Sequence, residues 1–157
     1  MSDKQKIHPG NGITLSFEGK FDLDSLYDEI KKWFEDYMYD YYEKENTEKN
    51  FPDGNFIILK MKGEREVDDF VKFLIESEII IFRLNKMEKG HGGELKIKLM
   101  GFYVLDYKNN WKNLSFLFYI YKKIILKKKI DDFYEPKVYE ELADLASKIK
   151  QNLGIAK

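Results

Sequence analysis

Residues 79–84 and 99–105 of this chain are apolar at odd and even positions alike, which limits its folds more than any other feature. A strand sends successive side chains to opposite faces. Ile80, Phe82 and Leu84 therefore join one face and Ile79 and Ile81 the other, while Phe102 and Val104 oppose Tyr103 and Leu105. Continuous apolar strands need cover on both sides. One face can belong to a core; at this end the opposite face needs a second cover. Three covers are open: the N-terminal segment, a strand re-aimed by a bulge near Gly101, or a second copy of the chain. On the last alternative Ile80, Phe82, Leu84, Phe102 and Val104 form an oligomer interface.

The remaining segments supply the core. In FDLDSLYDEIKKWF, Asp22 stands where an N-cap belongs and Phe21 and Leu26 occupy hydrophobic-staple positions. Apolar residues then recur in steps of three and four through Ile30, Trp33, Phe34, Tyr37 and Met38, which predicts a helix with one buried stripe. Residues 39–49 read as a strand, and Pro52, Asp53 and Gly54 as a turn. Residues 56–62 read as a half-buried strand with Ile57, Leu59 and Met61 inward. Over 66–77, Val67, Phe70, Val71, Leu74 and Ile75 match helical spacing, so a second helix is expected there. The glycines at 90, 92 and 93 separate the strand at 79–84 from Leu95, Ile97 and Leu99, which predicts a hairpin.

From Trp111 the period lies closer to 3.6, with Leu114, Leu117, Phe118, Tyr121, Ile124 and Ile125 on one stripe. A last helix starts at Pro136 with Leu142, Leu145, Ile149 and Leu153 inward. Together these segments predict an α+β fold in two layers. Its sheet is mainly antiparallel, with four to five strands, and three to four helices pack on one face. A flexible arm at 1–12, marked by Pro9, Gly10 and Gly12, leads into a single domain over 13–155 that starts with a short strand at 13–17.

Composition removes several function classes. Of the 27 lysines and arginines only Arg65 and Arg83 are arginine, and the formal net charge is -1, so sequence-specific nucleic-acid readout is disfavoured. With no cysteine there is no thiol nucleophile, disulfide framework or thiolate metal site, which fits a cytoplasmic protein. The first residues lack the apolar core of a signal peptide, and the longest nearly apolar run, 114–121, is too short to span a bilayer. His8 and His91 have no partners at metal-ligand spacing and read as exposed and passive, and no cofactor is implied. The carboxylate pairs Asp68 with Asp69, Asp131 with Asp132, and Glu140 with Glu141 are sequence neighbours. Neighbours on a helix or strand do not converge on a reacting atom, so these read as surface charge. Thr14, Ser16 and Ser77 have no base that the sequence can place beside them.

Three surfaces remain as candidates. The sheet face away from the helices should show a mixed ladder of Lys60, Lys62, Glu78, Glu94, Lys96 and Lys98. Lys122, Lys123, Lys127, Lys128 and Lys129 crowd a segment that also carries Phe118, Tyr121, Ile124 and Ile125. Such a basic amphipathic helix can meet a membrane surface, although snorkelling lysines on a core element is the favoured reading. Trp33, Phe34, Tyr37, Phe70, Phe118 and Tyr121 can line a ligand cavity between sheet and helices or, more ordinarily, fill the core.

The runs FEGKFDLDSLYDEIKKWF, EREVDDFVKFLIE, ELKIKLMGFYVLDYKNNW and FYIYKKIILKKKIDDFYE resemble a family of short hypothetical proteins from small-genome archaea, across most of residues 13–150. The resemblance implies an archaeal cytoplasmic domain and carries over no functional residue. Without reactive groups, the expected role is a non-enzymatic, self-associating structural or scaffold domain. The alternative is a small-molecule or lipid-binding module.

Overall fold

The start of the first long helix shows why the chain folds as it does. Asp22 caps it by accepting a hydrogen bond from the Ser25 N–H at 3.0 Å, and Phe21 and Leu26 are both buried as a staple. The computed structural model describes residues 3–6, 12–109 and 115–155, and within them all side chains except those of residues 3–6, 115, 118, 122 and 125. Six strands lie among these residues: β1 (Asp3–Lys6), β2 (Ile13–Phe21), β3 (Asp40–Phe51), β4 (Gly54–Glu66), β5 (Val71–Lys86) and β6 (His91–Leu105). Helix α1 (Leu23–Asp36) separates β2 from β3.

From Ser115 the chain is helical without a break. It runs through α2 (Ser115–Ile120), a π-helical stretch Tyr121–Leu126, α3 (Lys127–Lys129), a second π stretch Ile130–Tyr134, and α4 (Glu135–Leu153). The π stretches have a visible purpose. The buried row of this helix is Leu126, Ile130, Tyr134, Val138 and Leu142, with half-buried Tyr121 five residues before Leu126, and a widened turn keeps that step on the sheet-facing side. The second π stretch ends just ahead of Pro136, where the missing N–H and the bulky ring disfavour a regular α turn.

All strand pairings are antiparallel, in the order β3, β4, β5, β6, with β1 and β2 sharing the outer edge of β6. Leu15, Ile97, Ile79 and Leu59 form one cross-strand row, and Ile13, Leu99, Ser77 and Met61 the next. These rows face α1 and α4 and make the core with Leu26, Ile30, Phe34, Leu142, Leu145 and Ile149. At Gly63 a Cβ would overlap the Phe34 ring, so only glycine lets α1 settle this close to β4. The prediction of two layers with helices on one face of an antiparallel sheet is met in its outline.

Its helix count is not met. The helix expected over 66–77 does not form; Asp68 instead builds a turn, its Oδ1 accepting from the N–H groups of Phe70 and Val71, both at 2.8 Å, and β5 follows. Helical spacing at Val67, Phe70, Val71, Leu74 and Ile75 is matched equally by a strand buried on Val71, Phe73, Ile75 and Ser77, with Leu74 covered on its reverse. Two helical units result: α1 and the continuous helix from Ser115. Within the segment assigned to a loose arm, Asp3–Lys6 is a strand paired with β6. The pairing of β5 with β6 is regular through Gly101, and the bulge lies instead between Phe82 and Asn85, where Arg83 has φ 53.

Candidate functional surfaces

The polar interior joins side chains of α1, β4 and α4. Glu141, expected on the surface, is buried. Its Oε2 accepts from Arg65 Nη2 at 2.6 Å and its Oε1 from the Tyr39 hydroxyl at 2.8 Å. Residue 141 is one turn from Val138 and from Leu145, on the inward stripe of α4, so helical phase explains its burial. The Arg65 guanidinium also donates to the Tyr37 carbonyl at 2.8 Å and stacks over the Tyr39 and Phe73 rings. Next to it, Trp33 Nε1 and the Tyr37 hydroxyl both donate to Asp144 Oδ2, at 3.0 and 2.8 Å.

Burial, with Asp144 accepting from its hydroxyl, pushes the Tyr37 phenol up to about 12. Burial and the Glu141 charge push Tyr39 further up, against the opposing pull of Arg65. Both phenols are therefore fixed donors at neutral pH. The cluster ties α1, β4 and α4 together, with Glu141 and Asp144 each accepting from donors that are held in place.

A second tie closes the turn after β4. The Tyr134 hydroxyl donates to Asp68 Oδ2 at 2.6 Å. Burial raises the Asp68 carboxyl, but the bonds from Tyr134 and from the Phe70 and Val71 N–H groups, with Lys129 nearby, outweigh it and hold the group below the usual carboxylate range. Asp68 is thus a structural anchor, not one half of a surface pair with Asp69.

The outer sheet face carries the expected ladder. Lys60 lies 3.6 Å from both Glu45 and Glu78, and Arg83 lies 3.3 Å from Glu94. Lys44, Lys60, Glu76, Glu78 and Lys98 line a shallow groove here with Met100. Ser77 reaches the core side, buried between Met61 and Leu99, where no substrate can approach.

The residues assigned to an oligomer interface divide. Phe102 and Val104 are 4% and 7% exposed in the single chain, flanked by Leu74 on β5 and by β1 at the edge. The bulge at Arg83 turns Leu84 into the core, so it does not share a face with Phe82. Ile80 is half-buried and Phe82 is 41% exposed. The Phe82 ring packs on Phe56 at 5.3 Å, and Ile58 pairs across from Ile80, so a strip of four apolar side chains stays open on the outer face.

Among the lysines assigned to a basic surface, Lys123, Lys127, Lys128 and Lys129 are exposed, while the side chain of Lys122 lies outside the described set. Leu117 and Ile124, expected inward, face outward; the π stretch re-phases the helix there, a change that spacing alone does not reveal. Trp111 and Leu114 lie outside the described residues, as do His8 and the Phe118 side chain. The rings proposed to line one cavity do not converge: Trp33 stacks on Tyr37 at 4.3 Å in the α1 cluster, and Phe70 meets Tyr121 at 5.9 Å beside the turn after β4. His91, expected to be exposed, is half-buried and stacks on Phe21, because the hairpin turn is Met87–Gly90 and His91 already belongs to β6. Among the described residues no three His, Asp or Glu side chains gather as metal ligands, and no helix is long and apolar enough to cross a membrane. No protein-family model matches this chain, and no match is found among characterised proteins.

Proposed function

We propose that this protein is a non-enzymatic scaffold domain of the cytoplasm that self-associates through the outer face of its sheet. The observation that carries this reading is the strip of Phe56, Ile58, Ile80 and Phe82, left partly open while Phe102 and Val104 are covered within the chain. Two copies meeting there face to face would bury the four side chains. The strip is bordered by residues of both signs, Lys96 opposite Ile80 and Glu94 opposite Phe82, so a two-fold arrangement can set lysine against glutamate. A polar interior that only cross-links elements agrees with a role through contact and not through chemistry.

Sedimentation velocity over a range of concentrations tests this. The native chain should pass from monomer to dimer as concentration rises, and Phe82→Lys, at a side chain already in contact with water, should shift the midpoint upward by tenfold or more without changing the fold. A native chain that stays monomeric throughout removes the reading.

A further inference from the structure

Among the described side chains, the helix from Ser115 is half-buried at Tyr121 and buried from Leu126 onward, and several of those before and around that point are large, apolar and exposed. Phe116 is 73% exposed and Ile124 72%, with Leu117, Tyr119 and Ile120 also open to solvent. The exposed character then changes along the axis. Lys123 lies among the apolar residues, its ammonium 3.2 Å from the Tyr119 hydroxyl, and Lys127, Lys128 and Lys129 follow. Asp131 and Asp132 come last, furthest from the apolar end.

We infer that this end of the helix docks on an anionic lipid bilayer, Phe116, Leu117, Ile120 and Ile124 entering the headgroup region while the lysines behind them meet the negative surface. Apolar first and cationic second is the order in which a bilayer interface presents its own layers, and interfacial segments are built to match it. Residues 116–129 rise roughly 20 Å, too little to cross a hydrocarbon core of about 30 Å, so the tip lies in the interface. A lysine close to an anionic leaflet strengthens binding about fivefold, of which Asp131 and Asp132, at i+4 from Lys127 and Lys128, and Asp68 near Lys129 offset a part.

A second copy of the chain fits this tip less well. Pairing like with like sets Lys123, Lys127 and Lys128 against themselves. The groove between Lys44, Lys60, Glu76 and Lys98 offers charged walls to an apolar tip, as does the one between Glu18, Lys20, Arg83 and Glu94. Seating the tip on the Phe82 strip of another copy would be heterologous and would build rings or open chains, not the two-fold dimer proposed above. The inference is independent of self-association through the sheet.

Co-sedimentation of the full chain with phosphatidylcholine vesicles, made with and without phosphatidylserine, tests it. The native chain should pellet with the anionic vesicles, less so at high salt. Phe116→Ser with Ile124→Ser, and separately Lys127→Glu with Lys128→Glu, should each lower partitioning about tenfold or more. All four side chains are exposed, so thermal melting should be unchanged, and Phe82→Lys should bind vesicles like the native chain. No pelleting of the native chain overturns the inference. So does equal binding to neutral vesicles that the lysine variants leave untouched, or equally tight binding to soluble polyglutamate, which would point to an acidic protein. A tip variant that alters the oligomeric state while leaving vesicle binding intact also overturns it.

Discussion

Met38 sits where a helix of this kind normally ends on glycine. Its φ is 61, the Tyr39 N–H reaches back to the Phe34 carbonyl at 2.8 Å and the Met38 N–H to that of Glu35 at 3.0 Å, the bonding pattern of a Schellman motif. The Tyr39 and Phe34 rings meet edge to face at 5.8 Å, supplying the apolar contact that accompanies such a cap. Since the Met38 side chain is 83% exposed and packs on little, Met38→Gly should relieve the left-handed strain and raise stability by about 0.5–1 kcal/mol, read from urea denaturation. Glu141 is the opposite case. Glu141→Ala removes the carboxylate that Arg65 and the Tyr39 hydroxyl share, leaving Arg65 only the Tyr37 carbonyl, and should cost about 3 kcal/mol. The double change Arg65→Met with Glu141→Leu should recover much of that loss, because both partners then leave together.

Among the elements, the turn that joins β4 to β5 carries a pH signature. The Asp68 carboxyl is held below its ordinary range in the folded chain, so near pH 4 and below the unfolded chain binds the extra proton. This contribution to stability is complete above the unfolded pKa and is lost as pH falls through the folded one. Asp68→Asn should therefore lower stability at pH 7 and flatten the acid limb below about pH 4, measured by thermal melting across pH. The same turn explains a misreading. Spacing over 66–77 satisfies a helix as well as it does a two-sided strand, and Asp68 decides between them only through bonds to its own backbone and to Tyr134, a residue 66 positions away. Cap and staple at Asp22, Phe21 and Leu26 were legible because every partner lies within one turn.

At the scale of the molecule, the sheet is organised around β5 and β6. Both are paired along most of their length on two sides and bury most of their inner faces, whereas β3 is a charged edge strand with mostly exposed residues. Amide exchange should therefore be slowest in Ile75, Ile79 and Ile97 and much faster along β3, and a native-state exchange experiment would show the gradient. The two-sided apolar character of residues 79–84 and 99–105 was readable from the order of residues alone, but the structure covers Phe102 and Val104 and leaves Ile80 and Phe82 partly open. Hydrophobicity is local and a strand has a period of two, so the order of residues by itself determined the strands other than β1 and the first half of β5, the first helix with its cap, the inward stripe of the last helix and the layering of helices on a sheet. Which cover Phe102 receives, whether Leu84 shares a face with Phe82, and which way Ile124 points were decided only in three dimensions. A bulge of one residue and a π turn each shift the phase of a side chain, and an edge strand drawn from the N-terminal segment flanks Phe102. Those shifts gain their energy from contacts between residues far apart in the chain, and a local pattern carries no record of them.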